Sequence, residues 1–211
     1  MTRTRFSAVV ILTLCAPLTL AAQSISIGLR GTGGMPVGAF AESAGASNTA
    51  VVDGAKSGFG YGLDLGVSMG VFGVYVGFDH INFDCETVSC SSQGKYKLQG
   101  VAAGLKLSPA SQGRFHPYVK GGVTFNGLEG AYGSGASTSL TTDRAPGYEV
   151  GVGANVSLGG LIFLTPQLRY VGQNLKAKIP GVSAPSAKSD AINYATFDLG
   201  LSFATPFGGR R

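Results

Sequence analysis

Eight ionisable side chains interrupt stretches that are otherwise apolar or glycine-rich, and they are the first candidates for chemistry. Arg30, Lys106, Lys120 and Arg169 are matched by Asp64, Asp79, Glu149 and Asp198. Such a set can line an ion path or hold itself together. Charges withdrawn from water are costly unless paired, so equal numbers favour pairing. Other reactive types are sparse. His80 and His116, the only histidines, fall near opposite ends of their strands and read as interfacial side chains. Gly66-Val67-Ser68-Met69-Gly70 matches the G-x-S-x-G nucleophile elbow. That motif needs a strand-to-helix turn and a nearby base, whereas here a strand runs into a short glycine turn. Cys85 and Cys90, in Cys-Glu-Thr-Val-Ser-Cys, are too few for zinc without a local histidine.

Each of the eight charges lies in a run that alternates with period two, which is the signal of a strand. Along 194–203, Ala195, Phe197, Leu199, Leu201 and Phe203 share one face, and Tyr194, Thr196, Asp198, Gly200 and Ser202 share the other. Eight such strands are predicted: 24–32, 59–67, 74–79, 96–107, 117–125, 148–158, 162–173 and 194–203. In the fourth, Tyr96 and Leu98 fall out of phase with Val101, Ala103 and Leu105, which predicts a bulge near Gln99 and Gly100. The connection 127–146 is polar and is read as a loop.

The composition fits strands that crowd together. There are 34 glycines among 211 residues, and they recur opposite the apolar face, as Gly60, Gly62 and Gly66 do. Glycine weakens an isolated strand, so its repeated use on one face implies close approach of other groups, as inside a narrow barrel.

Residues 1–22 read as an export signal: a basic start with Arg3 and Arg5, an apolar run to Leu20, and Ala21-Ala22 at the cut. Residues 23–211 are then the mature domain, and its formal charge falls from +5 to +3. So mild a charge gives no nucleic-acid footprint. Export also favours a Cys85–Cys90 disulfide. No apolar run after residue 22 is long enough for a membrane helix, so a span would have to be a closed barrel.

The connections alternate long and short, and the strand number is even, as in bacterial outer-membrane barrels. The expected fold is all-β: an eight-stranded antiparallel up-and-down transmembrane barrel with both termini at the periplasmic end. A soluble lipocalin-like carrier would instead place its apolar faces inward. Within the barrel, neighbouring strands should bring Arg169 to Asp198 and Arg30 toward Asp64. Lys106 and Lys120 show no obvious acid. Mutual pairing in an inert plug is the preferred reading of the interior, and a narrow gated ion path is the other.

The chain resembles the OmpA-type and OmpX-type outer-membrane β-barrel domain family over its mature length. The matching residues are Met35-Pro36-Val37-Gly38-Ala39-Phe40, Pro117-Tyr118-Val119-Lys120-Gly121-Gly122, Leu168-Arg169-Tyr170 and the closing strand. The resemblance implies that Asp198, Gly200 and Phe203 form the polar-x-Gly-x-x-aromatic signal read by barrel assembly machinery, although eight residues follow Phe203. It also implies contact with outer-membrane lipid and lipopolysaccharide, a monomer, no cofactor or metal, and a structural or surface-interaction role. The alternative within the resemblance is a lipid-modifying barrel enzyme. A lipid A deacylase would show a His-x-Ser pair, and His80-Ile81-Asn82 and His116-Pro117-Tyr118 do not.

A closed barrel resists detergent until heated. The purified protein is expected to migrate differently on detergent gels with and without boiling, and identical mobility would count against closure.

Overall fold

In a computed structural model, residues 23–42, 54–85, 95–109, 113–132, 138–178 and 189–207 are described. The strands are β1 (Gln23–Val37), β2 (Ala55–Met69), β3 (Phe72–Cys85), β4 (Lys95–Leu107), β5 (Phe115–Tyr132), β6 (Thr138–Thr142), β7 (Ala145–Gly159), β8 (Ile162–Lys178) and β9 (Ser189–Phe207). Eight of them close a barrel in the order β1-β2-β3-β4-β5-β7-β8-β9, every pair antiparallel. The ninth, β6, is a short strand that pairs with the outer end of β5 and touches β8. Closure is made by β1 and β9, whose register runs from Gln23 opposite Phe207 to Val37 opposite Asn193. Closure leaves no edge strand, which is what a bilayer requires of a sheet.

The turns at one end are tight, with Gly70 at φ 62° between β2 and β3, and Gly160 at φ 60° between β7 and β8. Glycine adopts this left-handed conformation without steric cost. Gln23 of β1 and Phe207 of β9 lie at this same rim, since Gln23 pairs with both Met69 and Phe207.

The alternation of the sequence sets the two faces. Leu65, Val152 and Leu199 point away from the barrel and are 54%, 54% and 49% exposed. Arg30, Asp79, Glu149, Arg169 and Asp198 point into it and are buried.

Two expectations need correction. The strands run further than their membrane-like cores. β5 continues to Tyr132, and β6 lies within the stretch 127–146 read as a loop. The bulge expected near Gln99 and Gly100 is absent: β4 pairs with β3 without a break from Phe72↔Leu107 to Asp84↔Lys95. Tyr96 and Leu98 point inward along with Gly100 and Ala102.

The physical reason is a reversal of polarity along the barrel. About 9–11 tilted residues span a bilayer, whereas β3 has 14 and β9 has 19. Beyond the apolar outer band, Asp84, Lys95, Lys97 and Glu129 face outward into water, and Lys95–Asp84 and Lys97–Glu129 approach to 3.8 and 3.9 Å. On the inner side of the same segments sit Ile81, Phe83, Tyr96, Leu98 and Leu128, all 2% exposed or less. The barrel is apolar outside where it meets lipid and apolar inside where it rises into water.

This layering can be tested by mutation. Leu199→Arg, in the outer apolar band, is expected to cost about 2–4 kcal/mol in denaturant unfolding from lipid. Glu129→Gln, outward but beyond the band, should cost less than about 1 kcal/mol. Equal effects would refute the assigned lipid boundary.

Candidate functional site

The eight candidate charges come one from each barrel strand: Arg30 on β1, Asp64 on β2, Asp79 on β3, Lys106 on β4, Lys120 on β5, Glu149 on β7, Arg169 on β8 and Asp198 on β9. All face the interior, and seven of them join a single belt. Arg169 is its centre. Its Nε donates to Asp198 Oδ2 at 2.6 Å, its Nη1 to Asp79 Oδ2 at 2.9 Å and Glu149 Oε2 at 3.0 Å, and its Nη2 to Asp79 Oδ1 at 3.0 Å and Asp198 Oδ1 at 3.2 Å. One guanidinium thus ties together strands that are not neighbours.

Arg30 donates to Asp64 and, at 2.6 Å, to Asp79. Lys120 Nζ lies 3.6 Å from Glu149 Oε1, which corrects the expectation that Lys120 lacks an acid. Lys106 is different: among the described residues its contacts are Asn155 Oδ1 at 3.5 Å and the face of Tyr118, 3.7 Å from the ring centroid.

Neutral groups complete the belt, and sequence reasoning missed them. Tyr75 donates to Glu149 at 2.5 Å; Gln167 and Thr196 donate to Asp198 at 3.0 and 3.2 Å; Tyr118 donates to Gln167 at 3.0 Å. Their signal was available, since each occupies an inward position of a strand carrying a belt charge. Glycines provide the room. A Cβ on Gly62 would come within 2.6 Å of the Arg30 guanidinium carbon, and one on Gly151 within 3.0 Å of Arg169 Cγ.

Above the belt, toward the long connections, lies an apolar layer. Phe40, carried inward by a single 3-10 turn at Gly38–Phe40, packs 5.3 Å from the Phe83 ring and 6.0 Å from that of Tyr96. Phe83 in turn meets Tyr194 at 5.6 Å. With Ile81, Leu98, Leu128, Leu175 and Ile192 these side chains fill the barrel. Below the belt, toward the tight turns, is a cavity of about 310 Å³ lined by charged, hydroxyl and apolar side chains.

The remaining candidates are dispersed. His80 stacks on Tyr61 at 5.0 Å, whereas His116 is at the far end, lining the cavity beside Phe163. His116 is therefore an inward residue and not the interfacial one expected. Ser68 also lines the cavity, and the turn after β2 leads to a strand, not a helix. Among the described residues no group of three or more His, Cys, Asp or Glu is placed to hold a metal ion. Cys85 ends β3, while Cys90 and the expected export signal at 1–22 lie outside the described residues. Gly200 packs against Thr165, and Phe203 faces outward.

A closed antiparallel barrel with an apolar exterior band and an ionised interior is a membrane-spanning β-barrel. A family model described as the outer membrane protein beta-barrel domain matches residues 6–204. The chain belongs to that family, and its location is the outer membrane. Solved structures agree in fold. Neisserial surface protein A is 12% identical with a TM-score of 0.55, covering 86% of this chain and 96% of its own. A major outer membrane protein from Thermus thermophilus is 13% identical with a TM-score of 0.56, covering 86% and 99%. No curated protein sequence matches.

Because Arg169 satisfies three acids at once, its loss leaves buried carboxylates uncompensated. Arg169→Met is expected to destabilise the barrel by about 3–5 kcal/mol in lipid unfolding experiments. A cost below about 1 kcal/mol would show that the belt is not a structural tie.

Proposed function

We propose that this protein is a non-conducting, non-enzymatic outer-membrane barrel with a structural or surface-interaction role, presenting its long connections outside the cell. The observation that carries this reading is that two obstructions stand in series in the lumen. The ion-paired belt fills the middle, and the apolar layer from Phe40 to Tyr194 fills the outer part. A hydrated ion that displaced the belt would still have to enter a layer built mainly of apolar side chains, which is costly.

The belt taken alone would permit the gated ion path, and the apolar layer weighs against it. Against the lipid-modifying alternative, His80 and His116 are at opposite ends and on opposite faces of the wall. On the same reading, residues 1–22 are removed on export and the outer band contacts outer-membrane lipid. Lipopolysaccharide meets the outer rim, and the barrel is a monomer. Asp198, Gly200 and Phe203 serve as the signal for barrel assembly machinery, and a Cys85–Cys90 bridge staples the connection after β3.

In planar lipid bilayers the unaltered protein is expected to give no single-channel steps. Asp198→Ala should be silent too, because the apolar layer remains in series. Combining Ile81→Ser, Leu98→Ser and Leu128→Ser with Asp198→Ala should admit ions. Reproducible steps from the unaltered protein would overturn the non-conducting reading.

A further inference from the structure

The cavity below the belt contains a cation that the belt does not explain. Lys106 and Lys120 are direct register partners on β4 and β5, and both point inward. Like charges directly opposite one another on a sheet repel. Lys120 is answered by Glu149, but no carboxylate of the described residues comes within 4.0 Å of the Lys106 ammonium. Tyr118 and Asn155 position that ammonium without neutralising it.

The surroundings suit an oxyanion. Ser68 and Ser108 line the same cavity, and their hydroxyls can donate to oxygen, whereas that of Ser26 donates to the Gly66 carbonyl at 3.5 Å. Asp64 is the one acid among the described lining residues, and it is engaged by Arg30. At about 310 Å³ the space is at the lower end of those that hold small molecules. It lies at the end with the tight turns, the periplasmic end of an outer-membrane barrel.

We propose that this cavity is a binding site for a small oxyanion, a phosphate or short carboxylate taken from the periplasm, with Lys106 as its principal ligand and the serine hydroxyls as secondary donors. The site is a dead end, because the belt and the apolar layer close it from above. Binding there is a separate property from the proposed lack of conduction, and either can fail without the other.

Calorimetric titration of the refolded barrel in zwitterionic detergent at constant ionic strength tests this, with inorganic phosphate in one arm and succinate in the other. Binding of at least one probe is expected, and the stronger arm identifies the class. Lys106→Met should weaken it about tenfold or more, as loss of a charge-assisted hydrogen bond does. Lys97→Met, a cation on the outer wall, should leave it unchanged. Heat-dependent gel mobility confirms that each variant is folded. Should Lys106→Met fail to assemble, the unaltered protein decides. With ε-carbon-labelled lysine, a saturable shift of a single buried lysine resonance upon adding the bound probe supports the site. No binding of either probe, equal affinity in folded Lys106→Met, or no such shift would overturn it.

Discussion

Eight strands enclose too little volume for water to solvate a charge buried at mid-barrel, and that shortage of space governs the rest of the interior. Each ionised group must find its counterpart among side chains that share the cylinder. Each long side chain must also lie over a neighbour that has none. Arg30 sits across from Gly62 on β2 and Gly200 on β9, and Lys120 across from Gly151 on β7. The abundance of glycine and the balance of inward charge are therefore one adaptation. Glycines make a cavity of the right shape, and the belt fills it.

The surroundings set the second constraint. A strand that crosses lipid must be greasy outside, and the same strand once clear of lipid must be greasy inside. No shift of register is needed for this exchange, because alternation carries both faces throughout. That is why the membrane-spanning cores were legible from residues such as Phe197, Leu199 and Leu201, while the outer extensions were not. Tyr96 and Leu98 broke a pattern that assumed one polarity from end to end, and a bulge was the only device that could rescue it. Phe83 and Ile81 follow Asp79 on the same inward face of β3, so the change from charge to apolar could have been seen there.

Legibility of the belt followed strand adjacency. Arg169 with Asp198 and Arg30 with Asp64 lie on strands that are consecutive in the barrel, so their pairing could be read from strand order. Lys120 with Glu149 also lies on adjacent barrel strands, but β6 intervenes in the chain and hides their relative depth. Contacts across the lumen have no local trace. Arg169 and Asp79 are 90 positions apart on strands that do not pair, and only closure at a definite diameter brings them together.

Water access then ranks the members of the belt. The Arg169, Glu149 and Asp198 side chains are 1%, 1% and 0% exposed, Asp79 is 7%, and Asp64, at the edge of the lower cavity, is 33%. The apolar layer keeps solvent from the upper side of the belt, so its ion pairs act in a medium that screens them weakly. Toward the cavity that shielding fades, and Asp64 contributes less than its geometry suggests. Lys106 lies on the cavity side of the belt, with no carboxylate of the described residues within 4.0 Å of its ammonium. The interior thus passes from a buried, ion-paired centre to a more open cationic mouth. Chemistry that depends on exchange with the surroundings can occur at that mouth and not at the centre.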